Sequence, residues 1–298
     1  MSQPTIHATS LSNVSAKERA GPWRDAWRAF RKNKSAMLGL GIILFFVMIA
    51  LLAPWIAPYD YKAQELVNRL KPPSAQHWLG TDDLGRDLFS RVIYGARISL
   101  WVGFFSVIGS MIAGTILGVL AGFYGKWIDM LISRMFDILL AFPSILLAIA
   151  IVAILGPSLQ NALYAIAIVN IPTYGRLVRA KVLSLRTEEY ITAARAIGMK
   201  DSRILITHIL PNSLTPIIVQ GTLGIAHAII EAAALGFLGL GAQPPDPEWG
   251  KILSDSRQFI QKAPWTVIFP GLSIMLTVLG FNLIGDGLRD VLDPRMKK

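Results

Sequence analysis

Long uncharged stretches dominate the chain, and short segments between them carry nearly all of its charge. Ser35 to Tyr59 runs for 25 residues without Asp, Glu, Lys or Arg, Ile98 to Gly125 for 28, and Ile138 to Gly175 for 38. Ile204 to Ile230 adds 27 and Ala263 to Gly285 another 23. A membrane-crossing helix needs about 20 apolar residues. The 38-residue run is too long for one crossing, and Gly156-Pro157-Ser158 divides it with a turn signal. In the 27-residue run, Pro211, Asn212 and Pro216 delay the crossing to about Leu214. The pattern predicts six spans, near 36–57, 100–124, 131–155, 159–178, 214–235 and 265–286.

An even number of spans puts both termini on one side. Under that arrangement 20 Lys and Arg fall on the side of the termini and nine on the other. The positive-inside rule then predicts cytoplasmic termini, although Arg86, Arg91 and Arg97 fall in the outside loop. The charged first 34 residues do not read as a signal peptide. Trp23, Trp27 and Phe30 alternate with Arg24, Arg28 and Arg31. That pattern fits an amphipathic helix on the inner leaflet and equally a plain topology signal.

Composition supports the membrane reading. The chain is 53% hydrophobic and 16% charged, with a mean hydropathy of +0.50, whereas soluble domains carry about 25% charged residues. The net charge of +10 fits basic residues held at one membrane face better than nucleic-acid binding. Cysteine is absent, which excludes disulfides, Cys-ligated zinc and thiol catalysis.

Local features then suggest roles. Gly114, Gly118 and Gly122, four apart, predict a face for close helix packing, either beside a pore or simply within a bundle. Residues 82–97 predict an interfacial amphipathic helix capped by Asp82 or Asp83. Thr187 to Pro211 is too charged to span yet rich in Ile, Leu and Ala. Thr187 can cap a first short helix and Gly198 end it; Asp201 or Ser202 can cap a second, which Pro211 follows. Two short helices at a sharp turn fit docking onto a partner protein, or a hairpin folded on its own membrane domain. Glu231 lies one turn after His227 in the fifth span, so the two are candidates for a translocation path or a proton relay, the alternative being that Glu231 is a protonated or hydrogen-bonded interior residue. No metal-ligand spacing and no Walker A pattern occurs, which predicts no metal and no ATP hydrolysis by this chain itself.

The segment Tyr190-Ile191-Thr192-Ala193-Ala194-Arg195-Ala196-Ile197-Gly198, nine residues, then His208-Ile209-Leu210-Pro211, resembles the EAA loop of bacterial ABC importer permeases. Thr192 stands where that pattern has Glu, and His208 where it has Ile; Glu188 and Glu189 are neighbouring carboxylates that could substitute. Leu79 to Asp87, Ala234 to Gly239, Gly241 to Gly250 and Gly285 to Arg295 look like the peptide/nickel group, most like the C-type subunit of a dipeptide or oligopeptide permease. The likeness begins near residue 26.

The resemblance implies an all-α, six-span, type I permease in the bacterial inner membrane, importing dipeptides or short oligopeptides. It divides the chain into a tail (1–35), the first span with its outer loop (36–96), a permease core (97–290) and a second tail (291–298). It implies a sister permease, two cytoplasmic ATPases that use ATP and magnesium, and an extracytoplasmic binding protein, with lipid around them. It also implies an ATPase-coupling role for Glu188, Glu189, Tyr190, Ala193, Ala194, Gly198, His208 and Pro211. Nickel import, a proton-coupled secondary transporter and a scaffold subunit without a pathway are the alternatives.

Overall fold

Helices account for every regular element among the described residues. The computed structural model describes residues 22–292, with side chains from Trp27 onward; Trp23 and Arg24 of the amphipathic pattern therefore lie outside its side-chain description. Helix α1 covers Pro22–Lys32, and α2 Lys34–Ile56 after an Asn33 cap that accepts from the Ala36 amide at 3.1 Å. Phe30 is buried against the end of the last helix, while Trp27 stacks on it and stays half exposed.

The 37-residue α3, Leu88–Tyr124, joins the expected interfacial helix and second span into one rod. At about 1.5 Å per residue it exceeds the hydrocarbon core and projects beyond it. Its cap is Asp87, which accepts from the Ser90 amide at 2.8 Å, and not Asp82 or Asp83. The physical reason is the preceding loop. Asp82 turns its carboxylate onto the amides of Leu84 and Arg86, and Gly85 adopts a φ of +72° that no helix start tolerates.

Helices α4 (Lys126–Leu140) and α5 (Ser144–Leu155) meet at a 92° bend. The expected straight span over 131–155 is therefore broken. Pro143 lacks an amide hydrogen and its ring clashes with the carbonyl four residues back, so α4 cannot continue through it. Gly156, at φ +92°, makes the turn to α6 (Leu159–Arg186), and Asn161 donates to the free carbonyls of Leu155 and Gly156 at 2.9 Å each. After α7 (Glu189–Ala196), α8 (Asp201–Ile204), a π turn over Leu205–Ile209 and α9 (Leu210–Phe237) run on as one rod, Asp201–Phe237. Helix α10 is Trp249–Ser256 and α11 is Trp265–Leu292.

Four of these are long and apolar enough to cross a membrane alone: α2, α3, the 201–237 rod and α11. The bent α4–α5 pair makes a fifth if counted as one span. Helix α6 has the length, but its C-terminal half carries Arg176, Arg179, Lys181 and Arg186. By length and composition the described residues thus hold four to five apolar spans, one or two fewer than the six expected.

The most extensive pairing is α3 on α6. A Cβ on Gly114 would lie 2.7 Å from the Ile171 carbonyl oxygen, one on Gly118 2.5 Å from that of Gly175, and one on Gly122 2.8 Å from the Val182 Cβ. No side chain fits, so the backbones touch.

At one end of the bundle, loops 57–87 and 238–264 form an ordered head. Arg86 and Arg91 are buried there, both within ion-pair distance of Asp82, at 2.6 and 3.4 Å. That pairing accommodates two of the three arginines that sit awkwardly in an outside loop. Trp265, at the start of α11, donates to the Thr81 carbonyl and closes the head from the other side. Glu248 caps α10 through the amides of Gly250 and Lys251 and accepts from Ser99 of α3. Burial pushes its carboxyl up from the ordinary value, against those three bonds, which favour the ionised form.

The α3–α6 contact yields a matched test. Gly118→Ala should destabilise the purified protein by about 1–3 kcal/mol, because the added methyl meets backbone. Gly41→Ala on α2, where a Cβ meets nothing within 4 Å, should be neutral or gain about 0.5–1 kcal/mol. Thermal unfolding in matched detergent reads both, and equal effects would contradict the packing argument.

Candidate functional site

At the end opposite the head, the chain leaves α6, turns through α7 and re-enters the bundle along α8. Glu188 and Glu189 start α7 and are exposed, and the Glu188 side chain makes no capping bond. Thr187 belongs to the end of α6, where its hydroxyl donates to the Ser184 carbonyl, so it does not cap α7. The amide of Met199 reaches the Ala194 carbonyl at 3.1 Å and that of Gly198 reaches Arg195 at 2.9 Å. This is a Schellman closure, with Gly198 at φ +81° in the left-handed position it requires.

The second short helix does not stop before Pro211. Lys200 precedes it, with Asp201 in its first turn and no side-chain cap. It widens into the π turn, in which the Leu210 amide bonds to the Leu205 carbonyl, and passes directly into α9. The wider register leaves room for Pro211 near the start of α9, where a missing amide hydrogen costs little. The elbow is therefore one short helix joined through the turn at residues 197–200 to the base of a long one.

The two faces of α7 differ. Ile191 and Ala194 are buried against Val178, Val182 and Leu185 of α6 and Ile204 and Ile209 of the long rod. The chain covers this face itself, so Ala194 fixes the elbow in place and is not available to a partner. Tyr190, Ala193 and Ile197 point outward, Ile197 with 79% of its surface exposed. His208 packs edge-on against Tyr190 at 6.0 Å between ring centres, and Pro211 is exposed. Ile197, Gly198, Met199, Lys200, Ser202 and Arg203 line a notch of about 520 Å³ at the turn. Arg186 donates to the last carbonyls of α3, at Gly122 and Phe123, and Arg195 lies over the Phe123 ring at 5.1 Å, tying the elbow to α3.

A second group of polar side chains lies within the bundle. Asn170 of α6 donates to the Glu231 carboxylate of α9 at 2.9 Å. One turn further along α6, the buried Tyr174 sets its hydroxyl directly over Gly224 of α9. His227 is exposed, within 3.3 Å of the Leu223 carbonyl, and shares no hydrogen bond with Glu231. Beyond Tyr174, Arg176 pairs with Asp137 at 2.6 Å and Arg179 grips Asp129 through two bonds, fastening α4 to α6. Gly114, Gly118 and Gly122 seat α3 directly beside this seam, since a Cβ on Gly114 would lie 2.7 Å from the Tyr174 Cβ and one on Gly122 3.0 Å from the Arg179 carbonyl oxygen.

Nothing in the seam has the form of a nucleophile held by a base, and among the described residues no three His, Cys, Asp or Glu could hold a metal ion. What the seam offers is polar lining between apolar helices. Sequence reasoning missed Asn170 and Tyr174 because an uncharged run conceals them. Their spacing of four residues within a span was the available signal.

Residues 114–298 match the family described as binding-protein-dependent transport system inner membrane component. Residues 21–73 match the N-terminal TM domain of oligopeptide transport permease C. The chain is 70% identical to the dipeptide transport system permease protein DppC of Alkalihalophilus pseudofirmus over 93% of its length and 91% of the relative's. It is 52% identical to the di/tripeptide transport system permease protein DppC of Pseudomonas aeruginosa, over 93% of each chain. It is 50% identical to the glutathione transport system permease protein GsiD of Pectobacterium atrosepticum, over 97% of this chain and 96% of that one. In fold it is similar to the MetNI methionine ABC transporter in inward-facing conformations, with a TM-score of 0.56 and 20% identity over 67% of this chain and 96% of that one.

The elbow carries its own test. A methyl at Gly198 meets open space, so Gly198→Ala isolates the backbone cost of the left-handed conformation, about 1–2 kcal/mol. Hydrogen exchange at Met199 to Ile204 should speed up roughly 5–30-fold, the same energy expressed as a population. Unchanged exchange would show that the turn does not hold the elbow.

Proposed function

The chain belongs to the inner membrane components of binding-protein-dependent transport systems, and on that footing we propose that it forms half of the pathway of an ATP-driven importer of dipeptides and short oligopeptides. It is a membrane permease subunit, not an enzyme, with a type I ABC importer fold. The observation that carries the mechanism is the elbow. Tyr190, Ala193 and Ile197 present an apolar edge outside the bundle, while Ile191 and Ala194 clamp the same short helix to α6 and the long rod. An ATPase that seats on this edge moves α9 as a lever. Glu188, Glu189, Gly198, His208 and Pro211 frame the contact, and Glu188 or Glu189 supplies the carboxylate that Thr192 does not.

The remaining partners follow from the same reading. A sister permease completes the pathway, two ATPases bind ATP and magnesium, and an extracytoplasmic binding protein delivers peptide to the ordered head. Lipid surrounds α2 and α11, and α1 lies along the inner leaflet. The tail 1–35, first span and loop 36–96, core 97–290 and tail 291–298 divide the chain accordingly; residues 293–298 lie outside the described part. Glu231, held by Asn170, lines the pathway, with His227 at its edge. A proton relay through this pair draws no support from their separate hydrogen bonds. Nickel import remains the substrate alternative within the family.

Orientation is inferred from the excess of basic residues on the side of the elbow and both termini. The cysteine-free chain allows single cysteines at Thr5, Ser202 and Ser254. An impermeant thiol reagent added to whole cells, with any outer membrane opened, should label Ser254→Cys alone; labelling at Ser202→Cys would invert the topology. Function is tested in proteoliposomes holding all the partners. Uptake of labelled Ala-Ala should require ATP, whereas gradient-driven uptake without the ATPases, or uptake of nickel in place of peptide, would overturn the reading. Ala193→Arg, on the exposed face, should leave insertion intact and cut ATP-driven uptake by about tenfold or more, the effect of losing roughly 1.4 kcal/mol of docking energy.

A further inference from the structure

We propose that the cavity between α6, α9 and α11 is the exit vestibule of the pathway, and that Lys181 and Arg289 there receive the carboxylate of the departing peptide. The inference deepens the reading of the chain as a peptide permease and rests on it. The cavity has a volume of about 600 Å³, and its polar lining is Lys181, Asn212, Thr215, Gln220 and Arg289. It opens at the end of the bundle that carries the elbow, since Lys181 lies near the end of α6 and Arg289 in the last turn of α11.

Charge points to the ligand. Nearby Arg176 and Arg179 are spent on Asp137 and Asp129. Lys181 and Arg289 make no ion pair among the described residues. Asp286 and Asp290 lie within a turn of Arg289, but neither lines the cavity. Two cations without a carboxylate, at the mouth of a partly apolar cleft, form a site for an anionic group.

Position decides which anion. On α6, Lys181 shares a face with Leu177, Tyr174 and Asn170; on α9, Gln220 shares one with Gly224 and Glu231, by the helical spacing of three and four. A single polar seam therefore leads from the Asn170–Glu231 pair, past Tyr174, into the cavity. A lipid tail would require an apolar wall continuing inward, and Gln220 and Tyr174 interrupt it. A zwitterionic peptide meets a carboxylate first and cations last. Asn170 and Lys181 stand about 16 Å apart along the helix. Two extended residues reach only about 7 Å. The amino and carboxylate ends are thus held in turn, not together, and a dipeptide has no geometry in which both grips retain it.

The test uses the full importer, reconstituted with its ATPases facing the bath and carrying Thr215→Cys in this otherwise cysteine-free chain. An anionic methanethiosulfonate should modify Thr215→Cys about tenfold faster than a cationic one, from the field of two nearby charges. Lys181→Gln with Arg289→Gln should bring the two rates together. Ala-Ala in the bath should slow the anionic reagent, and Ala-Ala with its carboxylate blocked as the amide should not. The protection should be the same in phosphatidylcholine and in phosphatidylcholine–phosphatidylglycerol vesicles.

Equal protection by the acid and the amide would overturn the carboxylate assignment. Protection by phosphatidylglycerol without peptide would make the cavity a lipid headgroup site and also overturn it. Absence of any protection, in vesicles that still carry Ala-Ala from lumen to bath on addition of ATP, would remove the cavity from the pathway while leaving the permease reading intact. Failure of ATP-driven import in the unsubstituted protein marks the separate failure of that reading. The protection arm needs neither cation replaced, so a misfolded double variant does not blunt the test.

Discussion

Backbone contact between α3 and α6 sets the geometry on which both ends of the molecule depend. Lipid tails are as apolar as leucine, so burying apolar side chains gives helices in a bilayer little reason to associate. Close approach supplies one, through dispersion and shape. Three glycines on α3, in register with Ile171, Gly175 and Val182 of α6, bring the two helices within reach of each other's carbonyls. The rest follows from where these helices end. Helix α3 begins in the head, at the Asp87 cap, and finishes where Arg186 and Arg195 attach the elbow. A change in the tilt of α6 against α3 is therefore felt at both faces of the membrane.

Charged groups settle the two ends in different ways. In the head, Asp82 serves two buried arginines and two backbone amides, so removing it would leave uncompensated charge in a dry site, a costly outcome. At the opposite end, Asp129 and Asp137 hold α4 to α6 in partly exposed pairs, where screening makes each bond weak and reversible. A rigid head and a looser elbow end suit the proposed pathway, which would open on the side of the ATPases.

Much of this was legible in the chain. Uncharged runs located the apolar helices, Gly156-Pro157-Ser158 marked a true break, and the segment from Tyr190 to Pro211 identified the family. Other features were hidden for definite reasons. Pro143 bends the third apolar segment by 92°, but an apolar run reads the same whether straight or bent. The π turn at Leu205–Ile209 left Pro211 looking like a stop, because local signals presume a regular helix on one side of proline. The short helices fitted a partner or their own membrane domain equally, and Ile191 and Ala194 find their cover within their own chain, since the pattern shows that a face is apolar without showing what covers it. Lys181 and Arg289, more than a hundred residues apart, meet in one cavity only in the folded structure.

The central claim is that the outward edge of α7 carries the motion of the ATPases into α9. A photo-cross-linking residue at Ile197, in the assembled importer, reads that contact directly. The account predicts an adduct with the ATPase chain, altered in yield when ATP is added, and none from the same probe at Ile116, an exposed position within α3. Adducts from Ile197 confined to lipid or the sister permease would contradict it.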